Sequence, residues 1–195
     1  MSIEAIRSEM LRHHLKRTRE HITGVREFCD RIVTVFPEHV ELLDRKANHD
    51  ASKLRPGQEM LGYLFVNWRY RCEWHDKDFN ACLPPKGVDD LMHNATLLHV
   101  TGNSHHPEYH HVRVHGFDPD IISRSDRDKP SGLVVDARSM PDTDILEMCA
   151  DWCSVSVEVK GNPLDWADKN VGTRWRFSQR QENLIRDVLD SVWGR

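Results

Sequence analysis

The stretch 145-ILEMCADWCSVSVEV-159 decides how this chain is read. Its residues Ile145, Met148, Trp152 and Val155 recur at steps of three and four, which places them on one helical face for about four turns. Pro141, just upstream, suits a helix opening. Asp151 breaks the pattern, because Met148, Cys149, Ala150, Trp152 and Cys153 around it are all apolar. A carboxylate taken out of water is costly unless it is paired or holds a cation. Two kinds of partner meet that need: an arginine or lysine from another helix, or a metal ion.

The same helical period runs upstream from Leu11 through Thr18, Val25, Phe28, Ile32 and Val35. His14 and His21 lie on this stripe seven residues apart, so both are expected to face the interior. Phe36-Pro37 ends the helix, and Pro37 suits the first turn of a second one with Val40, Leu43, Ala47 and Asp50 on one face. Leu54-Arg55-Pro56-Gly57 reads as a turn, 59–73 as a third helix rich in aromatics, and 74–88 as a loop. A fourth helix over 89–102 carries Leu91, Ala95 and Leu98 on its apolar side and ends at Gly102-Asn103. From 104 to 139 proline, glycine and charge interrupt any period, which predicts a long ordered loop between the fourth and fifth helices. The last helix, 178–193, opens on a capping box of Ser178 and Gln181. The expected fold is all-α, a single-domain helical bundle over 1–195.

Composition narrows the function classes. Charged residues make up 30% of the 195, mean hydropathy is −0.64, and no apolar run approaches 18 residues, so no membrane span is expected. The start MSIEAIRSEMLRHH has no signal-peptide core, and a cytoplasmic location is expected. Five cysteines, with no C-x-x-C pair, read as reduced and mostly buried thiols. A net charge of −4 and a pI near 6.3 give no general reason to bind duplex nucleic acid. Histidine is the anomaly: of 13, seven fall between His93 and His115. Neutral imidazole is the commonest metal ligand, and such crowding beside acidic residues is how a metal site looks in one dimension.

Three groups of residues carry that chemistry. His49-Asp50 closes the expected second helix, where neighbouring side chains diverge by about 100° yet still converge on one ion. His99, with His105-His106-Pro107-Glu108, supplies imidazoles at a helix end and the turn that follows. His110, His111 and His115 read as surface histidines. Asp151 supplies a carboxylate from the late helix.

The order of a helical His, then His-Asp, then further histidines with a His-His pair, then Asp on a late helix resembles the HD-domain metal-dependent phosphohydrolase superfamily, which is all-helical. The string His49-Asp50-Ala51-Ser52-Lys53 is similar to that superfamily's variant with lysine three residues after the pair. EHITGVREF (20–28), HDASKL (49–54), HVTGNSHHPEYH (99–110), DILEMCADW (144–152) and the tail TRWRFSQRQENLIRDVL resemble, more closely, a family of short phage and bacterial proteins of unknown function. The resemblance implies an HD-like bundle, with His21, His49, Asp50 and Asp151 around one metal and His99 with one or both of His105 and His106 around a second. It also implies host cytoplasm if the chain is phage-encoded. His14 and His21 stand about 10 Å apart along a helix, so only one reaches a given ion. His21, inside the matching string, is the choice.

The function these readings imply is hydrolysis of a nucleotide or related phosphoester by metal-activated water, with one or two divalent ions (Mn, Fe, Co, Mg or Zn). Asp50 and Lys53 are the catalytic candidates. Lys53 would meet a phosphate, and Arg174, Arg176 and Arg180 form a basic segment that suits a small anionic substrate, or is simply a solvated helix entrance. Two other functions compete: a mixed-valent di-iron oxygenase of the same superfamily, and a non-catalytic helical scaffold that binds a metal.

Overall fold

Helix α1, Ile3–Val35, follows from the long apolar stripe and stops where Pro37 forbids a continuation. The stripe is displaced by one residue at its start: Met10, His14, Thr18, Ile22, Val25, Cys29 and Ile32 are buried, while Leu11 is 39% exposed. This computed structural model describes residues 3–74, 87–122 and 134–194, which form an all-α protein with one two-stranded sheet. No helix among them is long and apolar enough to cross a membrane. The chain divides into two compact units, Met1–Glu20 with Asp50–His99, and His21–His49 with Val100–Arg195.

In the first unit, a 3-10 turn (Ala51–Leu54) and the turn at 55–57 lead into α3, Gln58–Trp74. Helix α4 is Asp89–Gly102. Met10, Trp68 and Cys72 form a buried cluster with Phe65 packed on it. Gly62 lets α3 and α4 touch, since a Cβ there would stand 2.3 Å from Ala95 Cβ and 2.5 Å from the Leu91 carbonyl oxygen. The buried face of α4 is Met92, Ala95 and His99, whereas Leu98, expected on it, is 45% exposed. Of the loop expected at 74–88, residues 75–86, Cys82 among them, lie outside the described residues.

The second unit corrects two expectations. The helix expected from Pro37 to Asp50 is instead a 3-10 turn at Pro37–His39, a short α2 at Leu42–Arg45, and turns onward. Neither Phe36 nor Glu41 supplies a capping hydrogen bond, and Leu42 alone is buried in α2, so little holds a longer helix together. Val40 is 58% exposed and Ala47 is also exposed. The expected long loop at 104–139 contains helices α5, Pro107–His115, and α6, Pro119–Ile122. Pro107 and Glu108 make a sound helix start. The buried face of α5 is polar (Glu108, His110, His111), which hid its period.

Strand β1, Val135–Asp136, pairs in parallel with β2, Trp175–Arg176. Between them run α7, Asp142–Val159, and α8, Pro163–Asn170; the last helix is α9, Gln179–Val192, with the expected Ser178–Gln181 capping box. The core holds Ile145, Leu146, Met148, Cys149 and Cys153 of α7 with Ile185, Val188 and Leu189 of α9. Val155 is 38% exposed and Ser156 takes the buried position beside it. Cys29, Cys72, Cys149 and Cys153 are buried thiols, and burial pushes those of Cys29 and Cys153 up to about 12.

Candidate metal centre

The centre of the second unit grows from a helix crossing. A Cβ added to Gly24 of α1 would lie 2.5 Å from Ser154 Oγ of α7, and that hydroxyl donates to the His21 carbonyl at 3.1 Å. His21 and Asp151 each stand three residues before the crossing, one turn back on the same faces. His21 Nε2 therefore comes to 3.0 Å from Asp151 Oδ1. His49 arrives on the turn after α2, which Arg26 ties down by donating to the Lys46 and Ala47 carbonyls at 3.2 and 2.9 Å. Its side chain is fully buried, with Nε2 3.9 Å from Asp151 Oδ1. One ligand atom from each of His21, His49 and Asp151 lies within 4.8 Å of the other two.

Glu147, one turn before Asp151 on α7, was not expected from the sequence. Its Oε1 stands 2.9 Å from His49 Nδ1 and 3.5 Å from His105 Nδ1, and Arg45 Nε donates to its Oε2 at 2.8 Å. A second Arg45 nitrogen lies 2.5 Å from Asp144 Oδ1. The His105 ring centroid is 4.3 Å from that of His49 and 4.2 Å from that of His106. Burial alone would raise the Asp151 carboxyl, but His21, His49 and His105 hold it well below the usual carboxylate range. Burial likewise opposes ionisation of Glu147, yet His49, His105 and Arg45 draw it down to about 2.

The first unit has a cluster of its own. Asp50 sits in the left-handed region (φ 54°), a conformation Asp tolerates better than most residues and one that recurs at functional sites. Lys53 Nζ donates to Asp50 Oδ2 at 2.6 Å, and His99 Nε2 lies 3.2 Å from Asp50 Oδ1. Glu59 Oε1 is 2.9 Å from His99 Nδ1 and accepts from Ser52 Oγ at 2.8 Å. Burial, and then the Lys53 charge, lower the His99 pKa. His14 is also in this unit, fully buried between the Lys53 carbonyl (2.9 Å) and Asn67 Nδ2 (2.9 Å). Of His14 and His21, His21 is the one beside Asp151.

Several expected surface groups are placed otherwise. His110 and His111 are buried: His110 Nε2 donates to the Ser104 carbonyl at 2.8 Å, and His111 Nδ1 accepts from the Asp136 amide at 2.9 Å. Arg174, read as part of a basic segment, is buried against Glu108 at 3.0 Å. Arg180 is held by both oxygens of Asp142, at 2.7 and 2.5 Å, while Arg176 is exposed. Glu59 and Glu147 were missed, although Glu147 lies four residues before Asp151, the spacing that puts two side chains on one helix face.

The donors of the second unit fit a divalent first-row ion, which prefers imidazole nitrogen and carboxylate oxygen together. A neutral imidazole carries one ring proton; with that proton on Nδ1, which faces Glu147 at 2.9 Å, His49 would turn its other nitrogen toward Asp151. Nε2, on the Asp151 side of the ring, is then a lone pair. A lone pair beside a carboxylate is the arrangement a cation stabilises. No curated protein and no solved structure matches the chain. A family model does match, over residues 10–191, and the chain belongs to that family, a family of unknown function designated DUF5662.

Proposed function

We propose that this protein is a metal-dependent phosphohydrolase acting on a nucleotide or related phosphoester. The observation that carries the reading is the convergence of His21, His49 and Asp151 from α1, the turn after α2, and α7, with ligand atoms within 4.8 Å of one another. A divalent ion held there would lower the pKa of a bound water and polarise a phosphoryl oxygen. His21 and His49 contribute neutral donors, and Asp151 contributes the negative charge that retains a cation. Asp50 and Lys53 enter through the resemblance of HDASKL to the HD motif. Lys53, already ionic through its contact with Asp50, has the charge to meet a phosphate.

The test is metal analysis of protein purified without chelator, followed by a screen of nucleotides and generic phosphoesters with Mn, Co, Fe, Mg and Zn. The expected outcome is phosphate release that needs added metal. Lys53→Ala should keep the ion but lose about 100-fold in turnover, the usual scale for a charge that stabilises a transition state. Iron-dependent oxygen uptake without phosphate release would replace hydrolysis with the oxygenase chemistry.

A further inference from the structure

We infer that Glu147 is a positioning residue for the metal centre, one that fixes the His49 ring so that Nε2 is its ligand atom. The inference rests on the metal-binding reading above and adds a role to a residue that reading does not use. Three observations carry it. Glu147 Oε1 is 2.9 Å from His49 Nδ1, a distance that requires the proton on Nδ1 when both groups have their ordinary charges. Arg45 donates to the other oxygen, Oε2, at 2.8 Å and also pairs with Asp144, so the carboxylate is anchored from behind and cannot swing toward solvent. Both groups are buried, His49 at 0% and Glu147 at 4% side-chain exposure, so no bulk water competes for the ring proton.

His49, His105 and Glu147 also satisfy the distances of a metal cluster in their own right. The Arg45 guanidinium argues against an ion at that point, because it already neutralises Glu147 and would repel a divalent cation beside it. An acceptor for the ring N–H is the better account. The first unit repeats the device independently, with Glu59 Oε1 at 2.9 Å from His99 Nδ1. A carboxylate on the far nitrogen makes an imidazole a stronger donor and sets its direction, and loss of such a partner commonly weakens metal affinity about 10- to 100-fold.

The experiment pairs a metal-free readout with a metal titration. Imidazole nitrogen shifts of histidine-labelled, chelator-treated protein report which nitrogen of His49 carries the proton; the His49 signal is identified by its loss in His49→Gln. In wild type the proton should be on Nδ1. In Glu147→Ala the tautomers should mix, and manganese affinity, read by titration calorimetry, should fall about 10- to 100-fold. Glu147→Gln keeps an acceptor oxygen of the same shape, so it should keep the tautomer and lose less affinity, and it covers the case in which the alanine variant does not fold. A wild-type His49 protonated on Nε2, or a tautomer unchanged in Glu147→Ala, would overturn the inference whether or not an ion binds. Absence of metal from wild type with the Nδ1 tautomer intact would instead sink the metal reading and leave the Glu147 contact as a structural one.

Discussion

The two units each bury histidines against acids, and they balance the charge differently. In the first, Lys53 sits directly on Asp50, an i,i+3 ion pair that supplies its own cation, and His99 completes the group. In the second, Asp151 is met by imidazoles, His21 at 3.0 Å and His49 at 3.9 Å, and the Arg45 charge is directed to Glu147 and Asp144. Buried carboxylates need compensation in both cases. Lys53 carries its charge as a fixed part of the protein, whereas the imidazoles beside Asp151 are groups whose nitrogens an external ion can take over as ligands. A count of buried His and Asp does not tell the two units apart; the lysine already seated on Asp50 does.

That contrast fails first if ligand loss is harmless. Asp151→Asn, which keeps size and removes charge, should lower metal affinity by more than about 100-fold, since loss of even an outer partner costs 10- to 100-fold. His14→Ala should leave the metal in place, because His14 hydrogen-bonds Asn67 and the Lys53 carbonyl within the first unit. Calorimetric titration with manganese separates the two. Equal affinities in both variants would remove the distinction between the units.

Packing sharpens the comparison at a smaller scale. Gly62→Ala puts a Cβ against backbone, 2.5 Å from Leu91 O, and should cost about 3 kcal/mol, the upper part of the range for overpacking. Gly24→Ala meets only the Ser154 hydroxyl inside 3 Å, should cost about 1 kcal/mol, and should be relieved by Ser154→Ala. Thermal melts of the single and double variants check both. A Gly24 defect that Ser154→Ala does not relieve would show that the crossing is held by something other than this close approach.

The smallest effect is in acid, in metal-free protein. His14 and His99 have pKa values lowered, chiefly by burial, from 6.5, so on acidification the unfolded chain takes up their protons first. Stability of the first unit therefore begins to fall as pH drops through 6.5. His111, lowered by burial and His115, adds a step of the same sign in the second unit. Glu147 acts in the same direction at lower pH: its stabilisation is full above 4.5 and is lost as pH falls toward about 2. Amide exchange in α3 against α7 across pH 3 to 7 should show α3 loosening at the higher pH. The reverse order would contradict the burial of neutral His14 and His99.

Much of this was legible in the sequence, for reasons that differ by residue. The long helix, the α7 helix with Asp151 on it, and the Ser178 cap were readable because period and capping act locally. The break of the expected second helix was not, since nothing between Pro37 and Asp50 marks where packing stops supporting it. Helix α5 was missed because its buried face is His and Glu, which hydropathy reads as solvent-facing. The proximity of His21 to Asp151 depends on a glycine–serine crossing between residues 130 apart in sequence. No local pattern reports that. Glu147 was visible as an acid four residues before Asp151, but its partner His49 lies 98 residues away.

The most direct test is metal stoichiometry by elemental analysis, after reconstitution and desalting, for wild type, His21→Ala and Asp151→Asn. The account predicts bound divalent metal in wild type, at least one ion per chain, and little or none in either variant while both remain folded by circular dichroism. Wild-type protein that retains no metal, or variants that retain as much as wild type, would contradict it.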